Sequence, residues 1–227
     1  MSSAEHEPAP RGTPRGAPRY GRYVVVLAIV ILLAITVNTL TTKPNGAKGV
    51  LVGHRLPPFA VPLALSNLSG DADVATRAEE GSAGRVPACA ERGTQILNVC
   101  QLYESAPLVL ALVVDAGSCP AILGDMQALA ASFPAVHFAG VAIKPDRGAL
   151  RRLVRSRHLS IPIGVDRDGV LVGLYKVASC PQISFALPGG VVQSSAVLHR
   201  PPLSVLRTRV SELQAAARAR GWRGPRG

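Results

Sequence analysis

The sequence predicts an α/β layered fold preceded by a single apolar N-terminal helix, and three observations carry that expectation. PLVLALVV (107–114) and VHFAGVAI (136–143) are continuous apolar runs of the kind that form strands buried on both faces. Each is followed by a stretch with apolar residues at helical spacing. The C-terminal part then reads as a hairpin and a closing helix. Strand–helix–strand–helix followed by hairpin and helix builds a sheet with helices packed against it.

In chain order, residues 1–22 are rich in Pro, Gly and Arg and low in apolar content, which predicts a disordered basic arm. Tyr23 to Leu40, YVVVLAIVILLAITVNTL, carries no charge and is close to the ~20 residues a membrane-spanning helix needs. It is long for the apolar region of a cleaved signal peptide, and no clear A-x-A site follows it. Residues 23–41 are therefore expected to be an uncleaved signal anchor. Arg11, Arg15, Arg19 and Arg22 precede it, which predicts a cytoplasmic N-terminus and an exported main domain. The expected location is the cell membrane, single-pass, with the main domain extracytoplasmic. There cysteines can pair and stay paired.

Residues 42–49 form a short polar linker with turn chemistry. LPPFAVPLAL (56–65) is held extended by its prolines and belongs at a sheet edge, since proline donates no ladder hydrogen bond. Asn67 to Arg85 is polar and glycine-containing and reads as a loop. After PLVLALVV, Pro120 to Phe133 carries Ile122, Leu123, Met126, Leu129 and Ala130 at helical spacing, closed by Pro134. Arg147 to His158 reads as a helix with Leu150, Leu153 and Val154 inward. IPIGV (161–165) is extended, DRDG (166–169) is a turn, and VLVGLYKV resumes the apolar pattern. ISFAL, PGG and VVQSSAV make a hairpin, and Leu203 to Arg220 an amphipathic helix.

With 48% apolar and 17% charged residues, the bulk of the 227-residue chain folds around a core. The net charge of +11 is uneven: seven arginines against one acid lie from Arg200 onward, ending in a basic tail at 217–227. No aromatic–basic interleaving accompanies them, so nucleic acid is excluded as a partner. His54, His137, His158 and His199 are scattered, without paired spacing, and no C-x-x-C-H occurs. No metal and no cofactor are expected.

The chemistry concentrates in DAGSCPAILGDM (115–126). Cys119 is followed by Pro120 and then by a helix pattern. A cysteine at a helix N-terminus sees the positive end of the dipole, which favours its thiolate. Asp115, four residues earlier, is expected to cap the loop; it opposes that shift if ionised and close, or shuttles protons if buried. The position three residues on, where a C-x-x-C partner would sit, is Ile122. Cys89 and Cys100 flank ACAERGTQILNVC, with a turn expected at 91–94. In an exported chain these two most simply form a structural disulfide around a hairpin-like loop, worth about 2–4 kcal/mol. The other role open to one of them is relaying electrons from Cys119.

The order of the pieces resembles the thioredoxin-like superfamily, in particular its membrane-tethered, extracytoplasmic TlpA/ResA-like (redoxin) branch. The likeness covers roughly residues 50–216, with an insertion at about 67–105. LVLALVVDAGSCPAILGDMQALAASFPAVHFAGVAI, IPIGVDRDGVLVGLYKV and SCPQISFALPGGVV carry it, in order and at ordinary spacings. The resemblance implies a central mixed sheet flanked by helices. It places the family's first active-site cysteine on Cys119, the loop proline on Pro120 and the cis-proline on Pro181, with Cys180 just before it. Pro120 and Pro181 are then expected beside the substrate groove. Because the cis-proline loop lies against the active-site loop in that fold, Cys180 becomes a candidate resolving thiol for an attacking Cys119.

Two departures from the family stand out: the second cysteine is Ile122, and the aromatic residue before the first is Ser118. The implied activity is thiol–disulfide exchange with extracytoplasmic protein thiols or disulfides. The alternative is a redox-inactive thioredoxin-fold binding or structural domain. A thiol peroxidase is the lesser alternative, since that family's threonine and proline fall on Ala116 and Leu112.

Overall fold

The computed structural model describes residues 20–41, 49–68 and 86–224. The expected basic arm up to residue 19, the linker at 42–48, most of the polar loop at 67–85 and residues 225–227 lie outside the described residues. The chain divides into two units, Met1–Asn45 and Gly46–Gly227.

In the first unit, helix α1 (Tyr20–Thr41) runs without interruption for 22 residues. Its side chains are described without a break from Tyr23 to Leu33, and all of these are exposed. Among the described residues, no helix is long and apolar enough to cross a membrane.

The second unit contains, in order, β1 (Ala60–Pro62), β2 (Ile96–Asn98), α2 (Val99–Ser105), β3 (Leu108–Val114), α3 (Ile122–Ser132), β4 (His137–Ile143) and α4 (Arg147–Ser156). There follow β5 (Ile163–Asp166), α5 (Val170–Leu174), β6 (Gln182–Ala186), β7 (Val192–Val197) and α6 (Leu203–Ala219). The main sheet has the order β5-β4-β3-β6-β7, and β1 pairs with β2 in a separate two-stranded sheet. Strands β3, β4 and β5 are parallel, while β6 runs antiparallel to β3 and to β7. The expected mixed sheet is present.

The apolar runs are buried as their composition requires, because the strand period of two sends alternate residues to opposite faces. Val109, Ala111 and Val113 of β3 join Leu123, Met126 and Leu129 of α3, Leu150 and Val154 of α4, and Leu206, Val210 and Leu213 of α6. Leu108, Leu110 and Leu112 join Val61, Leu97, Val99 and Tyr103 on the other face. The proline-rich stretch supplies β1, paired along one side with β2 as Val61 opposite Leu97.

Two elements differ from the sequence expectation. VLVGLYKV opens as the short helix α5, because the Asp166 carboxylate at the end of β5 accepts N–H bonds from Gly169 (2.9 Å), Val170 (3.1 Å) and Leu171 (2.9 Å). Gly169 makes the turn with φ +80, and a Cβ there would lie 2.5 Å from Lys144 Cε. The second difference is the C-terminus. Ala217 is buried within α6, and Trp222 folds back, its indole N–H donating to Ser105 O at 3.0 Å. The basic tail expected from 217 thus continues the helix and is docked at least to Trp222. An amphipathic helix followed by an aromatic residue with apolar contacts at its base gives the tail something to bury.

Burial of Asp166 raises its pKa above the ordinary carboxylate value, and the three N–H bonds offset only part of that. The folded chain therefore holds this proton more tightly than the unfolded chain. The Asp166 contribution to stability is fully present below the unfolded pKa of about 3.9 and is lost as pH rises through the folded value. Denaturant unfolding of wild type and Asp166→Asn from about pH 4 to about pH 7 checks this. The stability difference, wild type minus variant, is expected to fall as pH rises, and a rising difference contradicts the sign.

Candidate active site

The site forms where β3 ends. Residues 115–118 make an exposed loop, with Gly117 at φ +52. The chain then turns into a 3-10 segment at Cys119–Ala121 that runs directly into α3. Cys119 N–H donates to Ala116 O at 3.1 Å, which closes the loop on itself. Pro120 sits within the first turn, where its missing N–H costs nothing. Cys119 thus begins a helical run, as its sequence context predicts.

From the other side comes the segment before β6. The Cys180–Pro181 peptide bond is cis. The β3–β6 register runs out at Leu112 opposite Gln182. Two residues beyond, the Val114 N–H donates to the Cys180 Sγ, at 3.0 Å. The buried Gln182 side chain braces the segment, donating to Tyr175 O at 2.9 Å and accepting from Ala178 N–H at 3.3 Å. Ser179 Oγ donates to Leu198 O.

These two supports bring Cys119 and Cys180 together in a disulfide with Cα atoms 5.5 Å apart, across 61 residues of sequence. That separation lies within the range a bridge requires. Cys119 is 5% exposed and counts among the core side chains, whereas Cys180 is partly exposed. Ile122, three residues on from Cys119 where a C-x-x-C partner would sit, is fully buried in the same cluster. A thiol at that place would be packed against core side chains.

Pro120 is half-buried and lines a cleft of about 310 Å³ with Asp115, Gly117, Pro145, Leu153 and Arg157. Pro181 is buried and is not among the residues that line the cleft. Asp115 is exposed, so the buried proton shuttle considered from sequence is not what the structure contains. The sequence reading missed the cleft wall supplied by α4 and the Val114 N–H. A backbone donor has no sequence signature, and Arg157 is marked only as one more arginine on an amphipathic helix.

Cys89 and Cys100 form the second disulfide, with Cα atoms 5.4 Å apart. The segment between them is not hairpin-like. Cys89 sits in a 3-10 turn at Ala88–Ala90, and Cys100 in the first turn of α2. The turn between them falls at Thr94–Gln95 rather than over 91–94. Asn98 explains the difference. Its Oδ1 accepts the Cys100 and Gln101 N–H groups and caps α2, while its Nδ2 donates to Ala88 O (2.8 Å) and Glu91 O (2.7 Å). The bridge packs with the cluster on the face of the sheet opposite Cys119. A relay from Cys119 would have to cross the sheet, because the two bridges pack in the clusters on its opposite faces. Among the described residues no group of three His, Cys, Asp or Glu is placed to hold a metal.

No protein-family model and no curated protein matches the sequence. Solved structures do match in fold. One is a thiol:disulfide interchange protein of the thioredoxin family from Chlorobium tepidum TLS, 10% identical over 73% of this chain and 99% of that one, with a TM-score of 0.52. Another is the thioredoxin domain of a thiol-disulfide oxidoreductase from Bacteroides vulgatus, with the same identity, coverage and TM-score. A secreted Mycobacterium tuberculosis disulfide oxidoreductase homologous to E. coli DsbE is 26% identical over 52% of this chain and 89% of that one, at a TM-score of 0.47. The second unit of this chain has the thioredoxin-like fold.

The Cys89–Cys100 bridge closes a short loop, with a sequence separation of 11. Chain-entropy reasoning assigns it about 2–3 kcal/mol. Cys89→Ala/Cys100→Ala is expected to lower the unfolding free energy by about that amount, read from the denaturant midpoint. A change below about 0.5 kcal/mol shows that Asn98 alone holds the two segments.

Proposed function

We propose that this protein is a membrane-anchored, extracytoplasmic thiol–disulfide exchange protein whose redox couple is the Cys119–Cys180 pair. The observation that carries the reading is the position of this bridge. It joins the first residue of the active-site helix to the residue before the cis-proline, in a fold whose solved examples include thiol–disulfide oxidoreductases. Exchange needs a disulfide that an incoming thiolate can reach and a thiolate that leaves readily. Partial exposure of Cys180 serves the first need and the helix start at Cys119 the second. The partners in this reading are protein thiols or disulfides outside the cytoplasm. Residues 23–41, uncharged to Leu40 and preceded by arginines, serve as the anchor.

One observation favours the alternative. Cys119 is almost fully buried, as an inert structural bridge would be, and a bridge of that kind would leave the domain as a binding scaffold.

The full chain in detergent micelles, poised in glutathione buffers and mapped by mass spectrometry, separates the two readings. Exchange predicts that Cys119–Cys180 opens at a measurable potential while Cys89–Cys100 stays closed. A Cys119–Cys180 bridge that outlasts Cys89–Cys100 under reducing poise makes it a structural staple.

A further inference from the structure

If the exchange reading above holds, the order of the two sulfurs follows from the geometry, which points to an inversion of the usual roles: we propose that the substrate becomes linked to Cys180, and that Cys119 is the buried thiol that leaves when a substrate is oxidised and resolves when one is reduced. In a C-x-x-C site the cysteine at the helix start takes the substrate. Here that cysteine is 5% exposed and enclosed by the cluster that holds Ile122, Ile183 and Phe185. A thiolate attacks a disulfide along the S–S axis, from the side away from the leaving sulfur. Attack at Cys119 would have to come through packed side chains, whereas Cys180 is partly open.

Two fixed features suit each sulfur to its part. Cys119 begins a continuous helical run to Ser132, so negative charge left on it lies at the positive end of the dipole. The Val114 N–H, 3.0 Å from the Cys180 Sγ, keeps that sulfur oriented while it carries the substrate and stabilises it as a thiolate on release. This donor lies on β3, so it is held in place by the sheet whether the bridge is open or closed.

The steps balance. A substrate thiolate attacks the Cys180 Sγ; the Cys119–Cys180 bond breaks, a substrate–Cys180 bond forms, and the electron pair leaves on the Cys119 Sγ. A second thiolate of the same substrate attacks the substrate sulfur of the mixed disulfide and forms the substrate disulfide, leaving Cys180 as thiolate. The substrate has lost two electrons and two thiol protons, the cysteine pair has gained the electrons, and the protons pass to the two cysteines or to solvent. Run backwards, a Cys180 thiolate attacks a substrate disulfide and Cys119 resolves it.

The test uses the full chain in detergent, with Cys119→Ser and Cys180→Ser variants and oxidised glutathione as the probe. Cys180 in Cys119→Ser is expected to capture glutathione at least about tenfold faster than Cys119 in Cys180→Ser. A second measurement needs no variant: wild type treated with limiting reduced glutathione is acid-quenched, and the adduct is located by peptide mapping, with Cys180 expected. Glutathione found on Cys119, or equal rates in the two variants, overturns the inversion and leaves exchange standing. If neither thiol reacts faster than free cysteine and the wild-type bridge does not open, exchange itself falls and the inversion with it.

Discussion

Strand β3 is hydrogen-bonded along both edges and packed on both faces. It pairs over its whole length with β4, from Leu108 opposite His137 to Val114 opposite Ile143, and from Leu108 to Leu112 with β6. No residue of it from Leu108 to Val113 exceeds 2% exposure. A strand with no free edge and no wet face fixes the height at which its C-terminal end leaves the sheet. The reactive loop starts at that end. Because β6 is registered to the same strand, the segment that precedes it arrives at the same level. The meeting of Cys119 with Cys180 is thus a consequence of one buried seven-residue strand and its two neighbours.

The two disulfides differ in what surrounds them. Cys89–Cys100 closes a short loop whose ends the Asn98 amide also ties together, so bridge and hydrogen bonds constrain the same two segments. It lies with the β1–β2 sheet and α2, under a cluster that reaches Tyr175, whose hydroxyl donates to Pro57 O at 2.7 Å. Cys119–Cys180 joins elements far apart in sequence at the end of the sheet, with an exposed loop beside it. Removing that bond leaves the Val114 N–H, the Gln182 brace and the core around Ile122 in place. A site that must open and close its own bond needs its geometry held by such other means.

Arginine is used on this fold for more than surface charge. Arg147 and Arg151 on α4 both donate to Ser66 O, and Arg151 Nε also to Ala64 O at 2.9 Å, pinning the chain that follows β1. Arg200 holds Asp125 of α3 with two hydrogen bonds, at 2.7 and 2.9 Å. Such bidentate contacts explain part of the basic excess structurally: some of these charges position backbone and helices rather than offering themselves to an anionic partner.

By itself the sequence determined the layered α/β class, the buried strands at 108–114 and 137–143, the helix after Cys119 and the hairpin after Pro181, because periodicity and continuous apolar runs are local signals. It also marked all four cysteines, since sulfur at these places serves no packing need that an apolar residue could not meet. Local signals failed where hydrogen bonds from particular side chains decided the outcome. The Asp166 carboxylate turned an apolar run into α5, Asn98 turned a hairpin-like loop into a capped helix, and Ser105 O captured Trp222. The Cys89–Cys100 pairing was already expected from the sequence, and the likeness set Cys180 beside Cys119, but tertiary structure alone decided how deeply each is set. Pairing across 61 residues, and the difference in exposure between Cys119 and Cys180, depend on where β3 and β6 bring their ends, and no window of sequence contains both.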